Sequence, residues 1–293
     1  MTSNLTNSKT SDKPVWFITG CSTGFGREIA KRVLGLGYRA VITSRDTEDV
    51  NDLSELGDAL VLKLDVTDRS QVEQAIQTAE DHFGGIDVLV NNAGIGYFAA
   101  VEESDEAEVR KMFEVNVFGL CRMIHVVLPG MRKRRKGFIV NISSIGGLRS
   151  FPALGYYNST KFAIEGLSEA LWQEVEPLGI QVMLVEPSGF RTDWAGRSSN
   201  ETNHKIADYA NTADRNIKQL RAISGKQSGD PIRAAEAIVS AVESTNPPHR
   251  LLLGSDAYEG AISKLDELRE EFSAWETVSR GADFPEVEVP TMV

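Results

Sequence analysis

The feature that most constrains this chain of 293 residues is an alternation of short aliphatic runs with longer amphipathic stretches. The runs are compact and rich in Val, Ile and Leu, which is typical of strands buried on both faces. The stretches between them carry apolar residues three and four positions apart, which indicates helices. Strands and helices in strict alternation predict right-handed βαβ crossovers, and hence a parallel sheet with helices on both faces.

The predicted elements follow one another without a linker-like break. Seven runs are predicted as strands, at 15–19, 40–43, 59–64, 88–90, 138–143, 182–185 and 251–253. Helices are predicted at 27–36, 70–83, 106–128, 157–175 and 232–242. The expected fold class is therefore α/β, a doubly wound seven-stranded parallel sheet in one domain over residues 14–256.

Three segments lie outside this alternation. Residues 1–13 are polar and are interpreted as a flexible tail. Residues 194–230 form a long polar insertion, predicted to be a substrate lid because such long loops in compact domains are usually functional. Residues 257–293 are predicted as a helical extension followed by a tail that contains proline. The apolar stripe of this helix is expected to pack on the chain's own domain, with a subunit contact as the alternative. The stripe consists of Tyr258, Ile262, Leu265, Leu268, Phe272, Trp275 and Val278.

Charge and composition exclude several classes of function. With 31 basic and 42 acidic residues the formal charge is −11, which disfavours binding to nucleic acid or to anionic membranes. The basic run at 132–136 is interpreted as the solvated end of a helix that Gly137 caps. Two cysteines and four scattered histidines predict no metal site. The polar start lacks the apolar run of a secretory signal, so a cytoplasmic location is expected.

A glycine-rich turn follows the first predicted strand directly, and a helix follows the turn. Glycines let the backbone approach a pyrophosphate closely, while the amide groups at the helix start face its negative charge. A tight turn without a ligand is the alternative interpretation. The predicted contacts to the cofactor come from Gly20, Ser22, Thr23, Gly24, Phe25 and Gly26.

The glycines of this turn are spaced GxxxGxG, and three further motifs follow in order along the chain. They are Asn91-Asn92-Ala93-Gly94, Tyr157-Asn158-Ser159-Thr160-Lys161 and Pro187-Ser188-Gly189-Phe190-Arg191-Thr192. With these motifs the chain resembles the single-domain branch of the short-chain dehydrogenase/reductase family over residues 14–256. It is most similar to the subgroup of 17β-hydroxysteroid dehydrogenases, retinol dehydrogenases and microbial carbonyl reductases. The resemblance implies a Rossmann-type fold and a nicotinamide dinucleotide cofactor.

The resemblance also implies that Tyr157 and Lys161 carry the chemistry. Four residues along a helix place both side chains on one face. A free tyrosine has a pKa of about 10, and a nearby lysine cation favours the phenolate. Tyr157 is therefore expected to exchange a proton with the substrate oxygen. Tyr156 has no lysine four positions later and is the weaker candidate.

Two further catalytic assignments come from the same resemblance. Ser144 is implied to hold the substrate oxygen through a hydrogen bond, with Ser143 as the alternative. Asn116 matches the family's asparagine that holds a water linking the lysine to solvent as a proton relay. The alternative interpretation of Asn116 is a polar residue that stabilises a local helix distortion.

Three groups of residues are implied to contact the rest of the dinucleotide. One flanks the adenosine ribose, a second brackets the adenine, and a third holds the nicotinamide amide. These groups are Asn92, Ala93 and Gly94; Asp65 and Val66; and Pro187, Gly189, Phe190 and Thr192. Tyr157 and Lys161 are implied to contact the cofactor as well. The family usually reads Pro-Gly where this chain has Ser188 inserted, which displaces the glycine by one position.

The end of the second predicted strand indicates which dinucleotide binds. NAD enzymes use a carboxylate there for the ribose 2′-hydroxyl, whereas a 2′-phosphate needs a cation. This chain has Ser44 followed by Arg45, whose guanidinium suits a phosphate in geometry and charge. NADP(H) is therefore predicted, with Asp46 as an alternative ribose partner that would favour NAD.

Together these features predict an NADP(H)-dependent oxidoreductase that moves a hydride between nicotinamide and a ketone, aldehyde or secondary alcohol. The apolar and aromatic side chains of Tyr97, of residues 148–154 and of lid residues from 190 to about 220 are expected to line a pocket for a hydrophobic substrate. Arg149, Arg191 and Arg197 leave an anionic substrate group open. The alternatives are a non-catalytic dinucleotide-sensing regulator, an NAD-dependent dehydrogenase of the same fold, and a sugar-nucleotide epimerase or dehydratase. The resemblance also implies a homodimer or homotetramer.

Overall fold

The computed structural model describes residues 13–284; the rest of the predicted tail, 1–12, and the last residues, 285–293, lie outside this range. Seven strands form one sheet: β1 (Val15–Ile18), β2 (Arg39–Ser44), β3 (Ala59–Lys63), β4 (Val88–Asn91), β6 (Gly137–Ile142), β7 (Ile180–Pro187) and β9 (Arg250–Leu253). Their spatial order is β3-β2-β1-β4-β6-β7-β9, and every neighbouring pair is parallel. The predicted seven-stranded parallel sheet is confirmed.

Helices cover both faces of this sheet because alternate strand residues point into two separate cores. In β1, Trp16 and Ile18 lie in one core, while Val15 and Phe17 lie in the other. The first core is closed by α1 (Gly24–Gly35) and α7 (Pro231–Val242), and the second by α2 (Arg69–Phe83), α4 (Leu120–Arg134) and α5 (Gly155–Val175). The shorter or peripheral helices are α3 (Glu106–Phe113), α6 (Arg215–Ala222), α8 (Ser255–Ala274) and α9 (Glu276–Arg280).

The strand order reverses at β1, which lies between β2 and β4. The chain leaves β1 toward one side of the sheet and returns at β4 on the other, so the loops that follow these two strands diverge. In open parallel sheets the crevice between such loops is where ligands bind. The glycine-rich turn and the Asn-Asn-Ala-Gly motif both lie at this crevice.

A small second sheet, not predicted from sequence, joins the insertion to the main domain. It pairs β5 (Gly96–Phe98) with β8 (Ser199–Glu201). Arg221 on α6 fixes the same segment by donating hydrogen bonds to the carbonyl oxygens of Ala195, Gly196 and Ser199 at 2.8–3.0 Å. The insertion is therefore tied to the main domain through β8 and braced internally by Arg221, and its role as a lid stays a prediction.

The expectation that the C-terminal helix packs its stripe on its own domain is wrong for the described residues. α8 is attached only through small side chains, since Ala257, Gly260 and Ala261 are its buried residues. Leu268 is half-buried, and the other six large apolar side chains of the stripe are 43–67% exposed; they are Tyr258, Ile262, Leu265, Phe272, Trp275 and Val278. A subunit contact, and with it a homodimer or homotetramer, stays a prediction.

One continuous helical run, Glu106–Arg134, is long and apolar enough to cross a membrane by length and composition. Its apolar side chains Leu120, Met123 and Val127 instead lie in the core beneath the sheet, as in an ordinary core helix.

The basic run at 132–136 does form the end of this helix. The expected cap is wrong, however, because Arg135 takes the left-handed conformation (φ 54°) and Gly137 begins β6.

The packing of the glycine-rich turn against the Asn-Asn-Ala-Gly motif leads to a stability prediction. A Cβ on Gly26 would lie 2.4 Å from the Gly20 carbonyl oxygen and 2.5 Å from Asn92 Nδ2. Gly26→Ala should therefore lower the free energy of unfolding by about 1–3 kcal/mol, measured by urea denaturation without cofactor. The control is Gly35→Ala in the same helix, where a Cβ meets nothing within 4 Å. That variant should be unchanged or more stable by up to about 1 kcal/mol. Equal losses in both variants would contradict this packing.

Candidate active site

The first turns of α5 bring Tyr157 and Lys161 to the carboxyl edge of the sheet. Both side chains are 7% exposed, and the Lys161 ammonium lies 5.7 Å from the centre of the Tyr157 ring. Lys161 Nζ donates a hydrogen bond of 2.8 Å to the carbonyl oxygen of Ile142, the last residue of β6. The predicted pair is therefore adjacent, buried and tied to the central part of the sheet.

The two candidate serines after β6 point to different partners. Ser144 begins a short 3-10 turn, where its hydroxyl accepts a hydrogen bond from the Gly146 amide. A Cβ on Gly146 would lie 3.3 Å from Ser144 Oγ and 3.5 Å from Tyr157 Cε1, so the hydroxyl and the Tyr157 ring flank the same point. Ser143 instead donates its hydroxyl hydrogen to the carboxylate of Glu165. Ser144 is thus the serine that faces Tyr157, as the resemblance implies.

Burial dominates the electrostatics of the tyrosine and the lysine. It raises the pKa of Tyr157 above the ordinary value, and the hydrogen bond from Ser144 opposes this change. It also lowers the pKa of Lys161 to about 8, while the negative charge of Glu165 acts in the other direction. The lysine cation is expected from sequence to lower the tyrosine pKa, but in this structure burial is the larger effect and the neutral phenol is favoured.

Asn116 lies in a π-helical segment, Glu114–Gly119, that joins α3 to α4. Its Oδ1 accepts a hydrogen bond from the Ile95 amide at 2.8 Å, and its Nδ2 donates to the Ile95 carbonyl oxygen at 2.9 Å and to Thr160 Oγ1 at 3.3 Å. The side chain therefore stabilises a helix distortion beside α5, and such distortions are frequent at functional sites. The relay water stays a prediction.

The glycine-rich turn has the shape that a pyrophosphate requires. Gly20 and Gly24 have φ of 70° and 61°, and a Cβ on Gly20 would lie 3.0 Å from the Ala93 Cα. Asn92 Nδ2 donates to the carbonyl oxygens of Thr19 and Gly20 and thereby fixes the two loops together. α1 begins at Gly24 without a side-chain cap, so the amides of its first turn have no side-chain partner. These features fit a bound phosphate group.

The segment after β7 packs against this turn. The rings of Phe25 and Phe190 meet edge to face at 5.0 Å, and a Cβ on Gly24 would touch Thr192 at 3.4 Å. Ser188, the residue that departs from the family pattern, donates its amide hydrogen to the Leu253 carbonyl oxygen at 3.0 Å. Pro187 ends β7 and Gly189 is exposed. The predicted nicotinamide segment therefore lies beside the predicted pyrophosphate turn.

The residues at the ends of β2 and β3 lie on the other side of the crevice. Ser44 is buried at the end of β2, and the exposed Arg45 makes no ion pair or hydrogen bond within residues 13–284. The Asp46 carboxylate accepts a hydrogen bond from the Glu48 amide and caps a 3-10 helix. Asp65 accepts hydrogen bonds from the amide and the hydroxyl of Thr67. Val66, also after β3, packs against Gly119.

The lid contributes a residue whose contact with Tyr157 cannot be read from the sequence. The Trp194 ring lies 4.8 Å from the ring of Tyr157 and 5.4 Å from that of Phe98. The only sequence signal for it is its place at the start of the lid. Tyr97, expected to line the substrate pocket, is buried, and its hydroxyl accepts a hydrogen bond from the Asp105 amide.

The arginines near the site are mostly engaged elsewhere. Arg191 donates to the Gln227 carbonyl oxygen at 2.7 Å, and Arg197 pairs with Asp193. The Arg149 guanidinium lies 5.4 Å from the centre of the Phe151 ring. Arg191 and Arg197 are thus paired within the described residues, whereas Arg149 Nε is buried without a hydrogen-bond partner there.

Comparison with known proteins agrees with this geometry. The family model described as short chain dehydrogenase matches residues 14–203. The chain belongs to the short-chain dehydrogenase family. A short-chain dehydrogenase from Streptomyces avermitilis is 41% identical, with a TM-score of 0.86 over 93% of this chain and all of that one. The protein is therefore an oxidoreductase of the short-chain dehydrogenase type.

Two curated relatives also cover most of this short-chain dehydrogenase. Oxidoreductase BOA17 of Botryotinia fuckeliana is 37% identical over 90% of this chain and 97% of its own length. The 3-ketodihydrosphingosine reductase of Bacteroides thetaiotaomicron is 39% identical over 81% of this chain and 86% of its own length.

Solved structures of the same fold hold both kinds of dinucleotide. ElxO, solved with NADP bound, is 29% identical over 84% of this chain and 99% of its own, with a TM-score of 0.70. A short-chain dehydrogenase/reductase from Burkholderia phymatum, solved in complex with NAD, is 25% identical over 95% of this chain and 99% of its own, with a TM-score of 0.76.

The different orientations of the two serines yield a kinetic prediction. Ser144→Ala should lower kcat about 10²–10³-fold on any carbonyl that the parent reduces, because the hydroxyl next to Tyr157 is lost. Ser143→Ala should change kcat less than about tenfold, since its hydroxyl serves Glu165. Steady-state kinetics with one substrate would measure both. A larger loss in Ser143→Ala would reverse the assignment.

Proposed function

We propose that this protein is an NADP(H)-dependent oxidoreductase that transfers a hydride between nicotinamide and a hydrophobic ketone, aldehyde or secondary alcohol. The observation that carries the proposal is that the buried side chains of Tyr157 and Lys161 lie together with the half-buried Ser144 at the sheet edge, next to the crevice formed by the glycine-rich turn. A non-catalytic dinucleotide-sensing regulator would have no need of this set. A small-molecule carbonyl or alcohol is therefore the proposed partner.

The residues present fit a dinucleotide. The turn from Gly20 to Gly26 and the start of α1 would hold the pyrophosphate, and the segment from Pro187 to Thr192 would hold the nicotinamide. When bound, the nicotinamide supplies or accepts the hydride, while the protein supplies position and the proton. NADP bound to ElxO, a structural relative, supports the same class of cofactor for this chain.

The catalytic residues divide the proton chemistry among them. In the reducing direction Ser144 holds the substrate oxygen by hydrogen bond, and the Tyr157 phenol, kept protonated by burial, donates its proton to that oxygen. The Lys161 cation then stabilises the phenolate that remains, since an opposite charge nearby favours the charged form. In the oxidising direction the phenolate takes the proton back.

The surroundings of Tyr157 support an apolar substrate. Its ring belongs to a buried cluster that also contains Phe98 and Leu154, and Trp194 packs over the ring from the lid. Such surfaces bind hydrophobic groups and leave orientation to a few polar atoms. The name of the Bacteroides relative, 3-ketodihydrosphingosine reductase, describes the reduction of a ketone. We therefore favour a ketone with apolar substituents.

The end of β2 supports NADP(H) over NAD(H). Arg45 is exposed and makes no ion pair or hydrogen bond in the described part of the chain, so its guanidinium is available for a 2′-phosphate. Asp46, the alternative ribose partner, already serves as a helix cap. A cytoplasmic location stays a prediction.

The catalytic proposal is tested by removing a single hydroxyl. Tyr157→Phe should lower turnover at least about 10²-fold on carbonyls that the parent reduces, because the proton donor is lost while the ring and its packing remain. Tyr156→Phe is the matched control and should keep turnover near that of the parent. NADPH binding, measured by fluorescence, should persist in both variants. Near-parental turnover in Tyr157→Phe would refute the catalytic role.

The cofactor proposal is tested by binding alone. Arg45→Ala should raise the Kd for NADPH about 10–100-fold, because a charge-assisted hydrogen bond to the 2′-phosphate is lost. The Kd for NADH should change little. Arg132→Ala, an exposed arginine at the end of α4, is the control for the change in net charge and should leave both values unchanged. Equal effects on both dinucleotides in Arg45→Ala would contradict NADP(H) preference.

A further inference from the structure

A buried carboxylate lies one helical turn beyond the lysine of the active site. Glu165 is 6% exposed, and Lys161, Glu165 and Glu169 follow one another at intervals of four along one face of α5. Burying a carboxylate is unfavourable unless it is paired or hydrogen-bonded, so its partners indicate its role.

Two partners hold Glu165 from opposite sides. Ser143 donates its hydroxyl hydrogen to Oε1, and the Arg250 guanidinium donates to Oε2. A Cβ on Gly147 would lie 2.8 Å from both the Ser143 hydroxyl and the Glu165 Cγ. The turn that follows Ser144 therefore closes directly over the pair formed by Ser143 and Glu165.

Arg250 links Glu165 to two further carboxylates. It donates to Glu186 at 3.0 Å and to Glu169 at 2.8 Å, and its guanidinium lies 5.5 Å from the centre of the Trp172 ring. Glu186 is fully buried, and its Oε2 has no hydrogen-bond partner among the described residues. Burial, together with the charge of Glu165, raises the pKa of Glu186 to about 7. Glu186 therefore takes up a proton more readily than an ordinary glutamate.

We propose that Glu165, held by Ser143 and Arg250, is a positioning residue that keeps Lys161 in its charged form beside Tyr157. The proposal rests on the function proposed above, in which the Lys161 cation stabilises the phenolate of Tyr157. Burial disfavours the Lys161 ammonium, while the negative charge of Glu165, four residues away on the same helix face, favours it.

Three of the elements packed against Glu165 contribute charged groups, while the turn that carries Ser143 and Gly147 contributes none. α5 carries Lys161 and Glu169, the end of β7 carries Glu186, and β9 begins with Arg250. His249, the residue before Arg250, stacks on Trp172 and lies 3.9 Å from Glu176. Since Arg250 is shared by three carboxylates, it does not cancel the charge of Glu165 alone.

The test replaces Glu165 by an uncharged residue of the same shape. In Glu165→Gln, Lys161 should lose its proton about one pH unit lower than in the parent, because burial is no longer opposed. The direct measurement is an NMR titration of the lysine Cε signals in the protein without cofactor, with the Lys161 signal assigned by its absence in Lys161→Met. The second measurement is the pH dependence of kcat/KM. In Glu165→Gln the fall of kcat/KM at alkaline pH should begin about one pH unit lower than in the parent. At a pH above the Lys161 midpoints of both proteins, kcat/KM of Glu165→Gln should be about tenfold below that of the parent.

Glu169→Gln is the matched control, because Glu169 shares Arg250 but is exposed and lies two turns from Lys161. It should leave the Lys161 midpoint unchanged. In Glu165→Gln, ionisation of Glu186 could restore part of the lost charge, so the double variant with Glu186→Gln removes this compensation. The Lys161 midpoint of the double variant should differ from that of the parent by at least as much as the midpoint of Glu165→Gln does.

The outcomes separate this inference from the proposed function. A Lys161 midpoint that stays within about 0.3 pH unit of the parent in both Glu165→Gln and the double variant would overturn the inference. An equal shift in Glu169→Gln would do the same. Because the titration needs neither cofactor nor substrate, it decides the point even if no carbonyl proves to be turned over, which would count against the proposed function alone. Thermal denaturation of each variant would confirm that it is folded.

Discussion

The burial of the Lys161 ammonium is the constraint around which the active site is arranged. A cation removed from water needs a carbonyl oxygen or an opposite charge, and Lys161 has the Ile142 oxygen in contact and the Glu165 carboxylate one turn away. Glu165 in turn needs a partner, which Arg250 provides. A single buried charge is therefore connected to a chain of charges that reaches from α5 to β9.

Parallel strand pairing makes this arrangement possible. Because neighbouring strands run in the same direction, the loops after β1, β4, β6 and β7 all leave at one edge. The glycine-rich turn, the Asn-Asn-Ala-Gly motif, the two serines and the Pro-Ser-Gly segment lie on these four loops. Residues far apart in sequence thus meet at one edge of the sheet, and α5 supplies Tyr157 and Lys161 from the face that covers the sheet.

The parts of this architecture that are predictable from sequence are those set by local patterns. The strands follow from aliphatic runs, and the adjacency of Tyr157 and Lys161 follows from helical spacing. The contact of Glu165 with Arg250 joins positions 85 residues apart, so no local pattern contains it. The contact between the rings of Trp194 and Tyr157 also depends on how distant segments pack, and so does the exposure of the apolar stripe on α8. The cap at Arg135 departs from expectation because a non-glycine residue took the left-handed conformation there.

The segments outside the shared core bear on the site from two sides. From the lid, Trp194 packs on the ring of Tyr157 while Arg221 and the pairing of β8 with β5 fix the backbone that carries it. From the C-terminus, Ala257 and Ala261 of α8 pack on Ile145, the residue after Ser144. Tyr157 and the turn that follows Ser144, for which we propose the roles of donating the proton and holding the substrate oxygen, are therefore each backed by a segment outside the nucleotide-binding core. Changes in those segments can alter the shape of the pocket without disturbing the charges beneath it.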